Sequence, residues 1–302
     1  MGKEKLDGVR IAIVTVLYKS DDVLPDFFQS LGRQTGVDFH LYVIDNSPSR
    51  SGFDLAEYLA QKQGIAATFV YNNANLGVAK GNNQGIELAR ADGCSHVLLA
   101  NNDLEFDDSH AILGLFEALE STSGLVAVPK IHYFDGDSIV WYGGGYFSPS
   151  KALAPHIGMG AKDEGQFDVV RHVEYSPTCF MLIDVIIFQK IGLMDERYFV
   201  YYDDTDFAWR MRSAGIEMVY WPQVVIRHKV SYSTGGDEGP FSIKFMTRNR
   251  IFFIRKNFSG LRRMRALVWV LGTRVLRLVK LNRLQRRAMV DGIREGIVLP
   301  LV

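Results

Sequence analysis

The 302-residue chain predicts an α/β fold, a doubly wound and mostly parallel sheet with a basic helical extension at its end. Three observations carry that expectation. Short apolar, β-branched runs alternate with segments of helical period between Val9 and Val128. The second, third and fourth strand-like runs close on Asp or Asn. The balance of charge then changes sign near residue 240.

Val9–Leu17 reads as the first buried strand. Ser20 can cap a helix whose first turn holds Asp21 and Asp22 and whose stripe is Val23, Leu24, Phe27, Phe28 and Leu31. A second strand, Leu41–Ile44, ends at Asp45. A helix over Leu55–Gln63 leads to a third strand, Ala67–Tyr71, which ends in Asn72-Asn73. A helix over Val78–Arg90 delivers the chain to the run His96–Ala100, closed by Asn101-Asn102-Asp103. Ser109–Glu120 reads as helix and Leu125–Val128 as strand. From Lys130 to Val170, Gly143-Gly144-Gly145 and scattered prolines predict hairpins and loops shaping a second subsite. Val173–Asp184 holds another strand, Tyr198–Arg212 an aromatic and acidic segment entering a helix, and Met218–Tyr220 a strand leading to Val224–His228.

In open α/β sheets, ligands bind outside the carboxyl ends of the strands. Asp45, Asn75 and Asp103 would line that edge, although each also suits a turn. The first strand–helix turn, LYKSDD, has no glycine, which excludes the dinucleotide fingerprint GxGxxG, and no GxxxxGK[ST] loop occurs. Carboxylate and amide oxygens at Asn101-Asn102-Asp103 suit a hard cation, Mg²⁺ or Mn²⁺. Asp203, Asp204 and Asp206 lie within four positions beside aromatics. Crowding and desolvation make one of them a candidate general base, while helix capping is the plainer reading. His228 closes a strand and is a candidate third metal contact, though a lone histidine is more often a surface or hydrogen-bonded residue.

Composition is that of a globular protein, with 47% hydrophobic and 23% charged residues. Formal net charge is zero, yet Phe241–Val290 holds 14 Lys/Arg and no Asp/Glu, and residues 1–240 hold 19 basic and 32 acidic side chains. Cys94 and Cys179 follow no metal or redox spacing and read as buried thiols of a reducing compartment. MGKEKLDGVR lacks a signal-peptide core, and no apolar run reaches the ~18 residues of a membrane span. A cytoplasmic protein, attached at most to a membrane face, is expected.

The ordered set VTVLYKSDD, VIDNS, NxGxAxGNNxG at Asn75–Gly85, LLANND, GLMDERYFVYYDDTDFAWR, RHKVSYSTGG and RNR at Arg248–Arg250 resembles the inverting family 2 glycosyltransferases of GT-A fold, especially their bacterial rhamnosyltransferase-like branch. The resemblance spans residues 9–258. It implies a GT-A catalytic domain over 1–240, with a nucleotide-sugar half (1–128) and an acceptor half (129–240), before the tail 241–302. It implies that Asp45 contacts the donor's base, flanked by Val16 and Tyr18. Asn75, Gly77 and Asn82 would shape the nucleotide-sugar pocket, joined by Asn101 and Asn102. Asp103 matches the last carboxylate of the family's DxD motif, with Asn101 in place of the first, and His228 would complete the metal site. Asp204 would be the base and Asp203 stands where the family usually has Glu. The implied reaction is a metal-dependent inverting transfer of rhamnose from dTDP-rhamnose to a cell-surface polysaccharide or lipid-linked glycan. UDP-hexose and UDP-galactofuranose donors remain alternatives. Sugar nucleotidyltransferases usually carry a Gly-rich basic loop where this chain has LYKSDD, and Asp103, Asp204 and His228 argue against a non-catalytic binding protein.

In the tail, Leu261, Met264, Leu267, Val268, Leu271, Val275, Leu278 and Val279 recur at helical spacing among arginines. A basic amphipathic helix fits an anionic membrane surface, and packing on the core or on a sister subunit of a homo-oligomer is the alternative. Few aromatics interleave with the arginines, which disfavours nucleic acid. Membrane attachment suits a polyprenyl-diphosphate-linked acceptor, whose diphosphate Arg248 and Arg250 would meet.

Overall fold

A computed structural model describes residues 9–229 and 239–301; the RHKVSYSTGG motif from Val230 on lies outside the described residues. The first half alternates β1 (Ile11–Leu17), α1 (Leu24–Gly32), β2 (Phe39–Asp45), α2 (Ser51–Gln63), β3 (Ala67–Tyr71), α3 (Val78–Ala91) and β4 (His96–Ala100). β2 and β4 both pair with β1 in parallel, and β3 pairs with β2 in the same sense, so Leu17, Asp45 and Tyr71 end side by side. Two glycines explain how closely α3 lies on this sheet. A Cβ at Gly81 would stand 2.7 Å from Val16 Cγ1, and one at Gly85 would stand 2.3 Å from Val14 Cγ1.

In the second half β5 (Leu104–Glu105) precedes α4 (Ala111–Thr122), β6 (Val126–Tyr133), β7 (Val140–Tyr142), β8 (Arg171–Val173), β9 (Phe180–Asp184), α5 (Ile186–Ile191), α6 (Asp203–Ser213) and β10 (Met218–His228). These strands make the sheet mixed: its order is β3-β2-β1-β4-β9-β6-β10-β5, the α/β arrangement expected of GT-A. β9 runs antiparallel to both neighbours, β4 and β6. The strand expected within Val173–Asp184 is β9, and the segment between it and the short β8, which ends at Val173, holds Tyr175. The two expected strands after Met218 are one strand, whose register slips between Trp221 and Val225 where Pro222 lacks an N–H. The division expected at 128/129 falls inside β6, which is continuous.

Three helices follow: α7 (Pro240–Asn257), α8 (Gly260–Leu278) and α9 (Arg283–Val298). α7 is built into the main core through Ile251, Phe252 and Phe253, so that core extends past the expected boundary at 240. α9 crosses α7 closely, since a Cβ at Gly292 would stand 2.5 Å from the Lys244 carbonyl and one at Gly296 2.6 Å from that of Arg248. The apolar stripe of α8 divides: Leu267 and Leu271 pack on the main core and Leu278 on a small cluster with Ile243, Leu281 and Met289. Leu261, Met264, Val268, Val275 and Val279 are exposed. No helix among the described residues is long and apolar enough to cross a membrane.

Candidate active site

The carboxyl edge of the parallel strands is held by short polar side chains. Asp45 is fully buried at the end of β2; its Oδ1 accepts the Ser47 N–H at 2.7 Å, and its Oδ2 has no partner. Burial pushes its pKa up. Asn46 donates to the Gly77 carbonyl and accepts from Asn72, which also exchanges bonds with Gln84. Asn102 donates to the Val16 carbonyl at 2.7 Å and ties β4 to β1, beside the half-buried Tyr18.

Three expected pocket residues have structural partners. Asn75 is exposed and accepts the Gly77 N–H in a local turn. Gly77, at φ +84°, lets the segment after Tyr198 settle on α3: a Cβ there would stand 2.5 Å from the Phe199 carbonyl, which accepts the Val78 N–H. Asn82 is buried with its amide on Met194 Sδ, and Asn83 brackets Met194 through that residue's N–H and carbonyl. Asn82 therefore tethers α3 to the loop before α6 rather than lining the cavity described below.

Antiparallel pairing of β5 with β10 sets Leu104 opposite His228 and so brings Asp103 alongside the imidazole. Asp103 Oδ1 and His228 Nε2 stand 3.2 Å apart, both side chains mostly buried. Asp103 Oδ1 nonetheless makes no aligned hydrogen bond, and His228 Nδ1 has no partner. Two ligands at about 2.1 Å on adjacent octahedral positions lie roughly 3 Å apart, so the pair fits one small divalent ion. Among the described residues no group of three His, Cys, Asp or Glu converges. Two protein ligands are nevertheless enough for a cation that keeps waters and substrate oxygens.

The acidic cluster divides into three environments. Asp206 is completely buried and saturated, accepting from Tyr198, Asn257, Arg210 and Lys256. Asp203 is 5% exposed, and desolvation with Asp204 beside it pushes its pKa up to about 8, so it is mostly neutral at pH 7. Asp204 is half-buried; its Oδ2 accepts the Tyr175 hydroxyl at 2.6 Å and its Oδ1 the Thr205 N–H at 2.5 Å. Capping does not account for it, because the residue before α6 is Tyr202, which makes no side-chain cap. Phe199, Tyr201 and Tyr202 adopt φ of +65°, +62° and +66°, a conformation costly for bulky residues. Asn249 of α7 holds that loop by donating to the carbonyls of Tyr198, Val200 and Tyr201 at 2.7–2.9 Å.

Asn101, Asp203, Asp204, His228 and Arg250 line one cavity of about 410 Å³, together with Trp141, Tyr175, Tyr202 and Arg274. Arg248 is not among them: its guanidinium bonds the Arg197 carbonyl and lies 5.2 Å from the Phe245 ring centroid. Tyr175, Asn249 and Arg274 are the residues that sequence reasoning missed. Only the register of Arg274, four residues beyond Val270 on α8, carries a signal of its place.

A mixed sheet with carboxylates and an imidazole gathered at its strand ends defines a GT-A-type protein. Residues 12–192 match the family model Glycosyl transferase family 2, so the chain belongs to that family and is a glycosyltransferase. It is similar to a low-salt glycan biosynthesis hexosyltransferase of Haloferax volcanii, 24% identical over 250 residues, 82% of this chain and 76% of that one. It is also similar to an N-acetylglucosaminyl-diphospho-decaprenol L-rhamnosyltransferase of Mycobacterium tuberculosis, 39% identical over 57 residues, 19% of each chain. In fold it is similar to GalNAc-T7 with UDP, GalNAc and Mn²⁺ (TM-score 0.65, 12% identity, 96% of this chain and 56% of that one). It also resembles the mannosyltransferase PcManGT from Pyrobaculum calidifontis in complex with GDP-Man and Mn²⁺ (TM-score 0.58, 11% identity, 97% and 81%).

Proposed function

We propose that the protein is a divalent-cation-dependent, inverting hexosyltransferase that moves a sugar from a nucleoside diphosphate to a glycan acceptor. The carrying observation is the hydrogen-bonded Asp204 in the same cavity as His228, with Asp103 at the imidazole's side. Asp45, with one buried oxygen unpartnered, would accept from the donor's base, and Asn101 and Asn102 would shape the sugar side. Asp103 and His228 would hold Mg²⁺ or Mn²⁺, which when bound offsets the charge that grows on the departing diphosphate. Asp204 takes the proton of the acceptor hydroxyl as that oxygen attacks the anomeric carbon. Tyr175 fixes one carboxylate oxygen and Thr205 the other, which orients the base. Asp203, neutral beside it, avoids a second negative charge in the cavity. With one base and no nucleophile from the chain, a single displacement inverts the anomeric centre.

Rhamnose from dTDP-rhamnose is the specific donor we propose. The 57-residue similarity to the mycobacterial rhamnosyltransferase supports it, whereas the longer similarity favours hexosyl transfer in general. The site of action would be the cytoplasmic face of the cell membrane, where the exposed side of α8 meets anionic lipid. Turnover assays with dTDP-rhamnose and UDP-hexoses, with and without Mn²⁺, test the reading. A product of inverted configuration by NMR is expected. Donor binding without turnover on any glycan acceptor, or retention of configuration, would defeat it.

A further inference from the structure

Arg274 stands on the inward face of α8, one turn beyond Val270 and two beyond Ala266, both completely buried. Packing favours an apolar residue at that register. Its guanidinium instead borders the cavity that holds Asp204, and its Nε is shut off from solvent without a hydrogen-bond partner. Burial and the neighbouring Arg250 push its pKa down to about 10. Arg250 lines the same cavity and spends its Nε and one terminal nitrogen on the Lys151 carbonyl, a neutral acceptor. Among the described residues neither guanidinium has a carboxylate partner. Two adjacent, desolvated cations without a counterion destabilise a fold, and an anion drawn between them would offset that cost.

We propose that Arg250 and Arg274 form an anion subsite in the acceptor part of the cavity, and that it takes a phosphate carried by the acceptor. The assignment to the acceptor rests on the proposed function, which places the donor's diphosphate at Asp103 and His228. The two arginines come from α7 and α8, which contribute none of the strand-edge residues. α8 also joins the subsite to the exposed row Met264, Val268, Val275 and Val279, so one helix presents a cation inward and apolar side chains outward. A phosphate attached to a lipid matches both faces.

The test is calorimetric titration of full-length protein, saturated with dTDP and Mg²⁺, with inorganic phosphate and with farnesyl phosphate. Arg274→Met should weaken both by about tenfold or more while dTDP affinity stays unchanged. Without anion, the variant should melt at or above the wild-type temperature, because an unpaired buried charge has gone. Tighter binding of farnesyl phosphate than of inorganic phosphate marks the lipid-borne source, and equal binding marks the phosphate alone. Unchanged binding of both probes by Arg274→Met overturns the subsite. So does a variant that melts well below the wild type, since Arg274 would then be a packing residue. If dTDP fails to bind the wild type, the proposed function falls, while the phosphate comparison still decides the role of Arg274.

Discussion

The Tyr175 hydroxyl donates a 2.6 Å hydrogen bond to Asp204 Oδ2, so the segment between β8 and β9 orients a carboxylate at the start of α6. A hydrogen bond to a charged group contributes about 1.5–3 kcal/mol, and here it fixes direction as well. Asp204→Asn should lower kcat by about 10²–10⁴-fold with nucleotide binding retained, as expected for loss of a general base. Tyr175→Phe should lower kcat by about tenfold at unchanged donor KM. Initial rates over a donor titration measure both. Equal kcat for Tyr175→Phe and wild type would separate the phenol from the chemistry.

Asp203 ties stability to pH. Its pKa is raised in the folded protein to about 8 from 3.8, so the unfolded chain sheds this proton first. Below about pH 4 the group contributes no difference; as pH climbs toward 8 it progressively favours unfolding, by an amount on the order of a few kcal/mol. Asp203→Asn should therefore raise the melting temperature at pH 8 and leave it nearly unchanged at pH 4. A pair of melting curves at each pH decides it, and an equal shift at both values would mean that the carboxyl is not neutral in the fold.

Much of this arrangement is legible in the sequence, and the gaps have physical causes. β1 to β4 announce themselves because both faces of a parallel sheet are buried and the polar residues can stand only at the ends. The antiparallel sense of β9 is hidden, because an apolar run such as FMLID has no direction of its own. RNR draws attention to its two charges, yet Asn249 between them holds the catalytic loop and Arg248 is spent on a backbone carbonyl. The apolar stripe of α8 makes its arginines read together as cations for an anionic membrane surface, which conceals Arg274 on the inward face. Tyr175 lies in a segment without period, where its partner is set by tertiary contact alone.

Asn249 should matter for stability and activity together. Asn249→Ala removes the donor shared by three backbone carbonyls beside a run of left-handed residues, and a loss of about 1–3 kcal/mol is expected. Turnover should fall beyond the fraction unfolded, because the Tyr201–Tyr202 turn sets the start of α6. Urea unfolding read beside kcat tests this. Full activity in a folded variant would show that the turn holds itself.

Asp103 and His228 predict a cation dependence that can be read without turnover. dTDP with Mn²⁺ should raise the wild-type melting temperature more than dTDP alone, since a ligand held only by the native state stabilises it. EDTA should remove the increment. Asp103→Asn and His228→Ala should each lose most of it while keeping the smaller effect of dTDP through Asp45. An increment that survives in both variants would place the ion elsewhere.

The outward face of α8 separates membrane attachment from packing. Val268, Val275 and Val279 are 67%, 61% and 80% exposed, and the exposed cations Arg263, Arg265, Lys280 and Arg283 surround them with no acid among residues 241–290. Apolar burial and attraction to anionic headgroups then act together, and each basic residue near the surface contributes about 1 kcal/mol. Full-length protein should float with vesicles containing phosphatidylglycerol, less with neutral vesicles, and least in high salt. The double substitution Val268→Glu and Val275→Glu should abolish flotation while the melting temperature holds, because neither side chain is part of the core. If the double variant floats like the wild type, the membrane contact lies on another face; if the wild type ignores the vesicles and runs as a dimer that the substitutions break, the face belongs to a sister subunit.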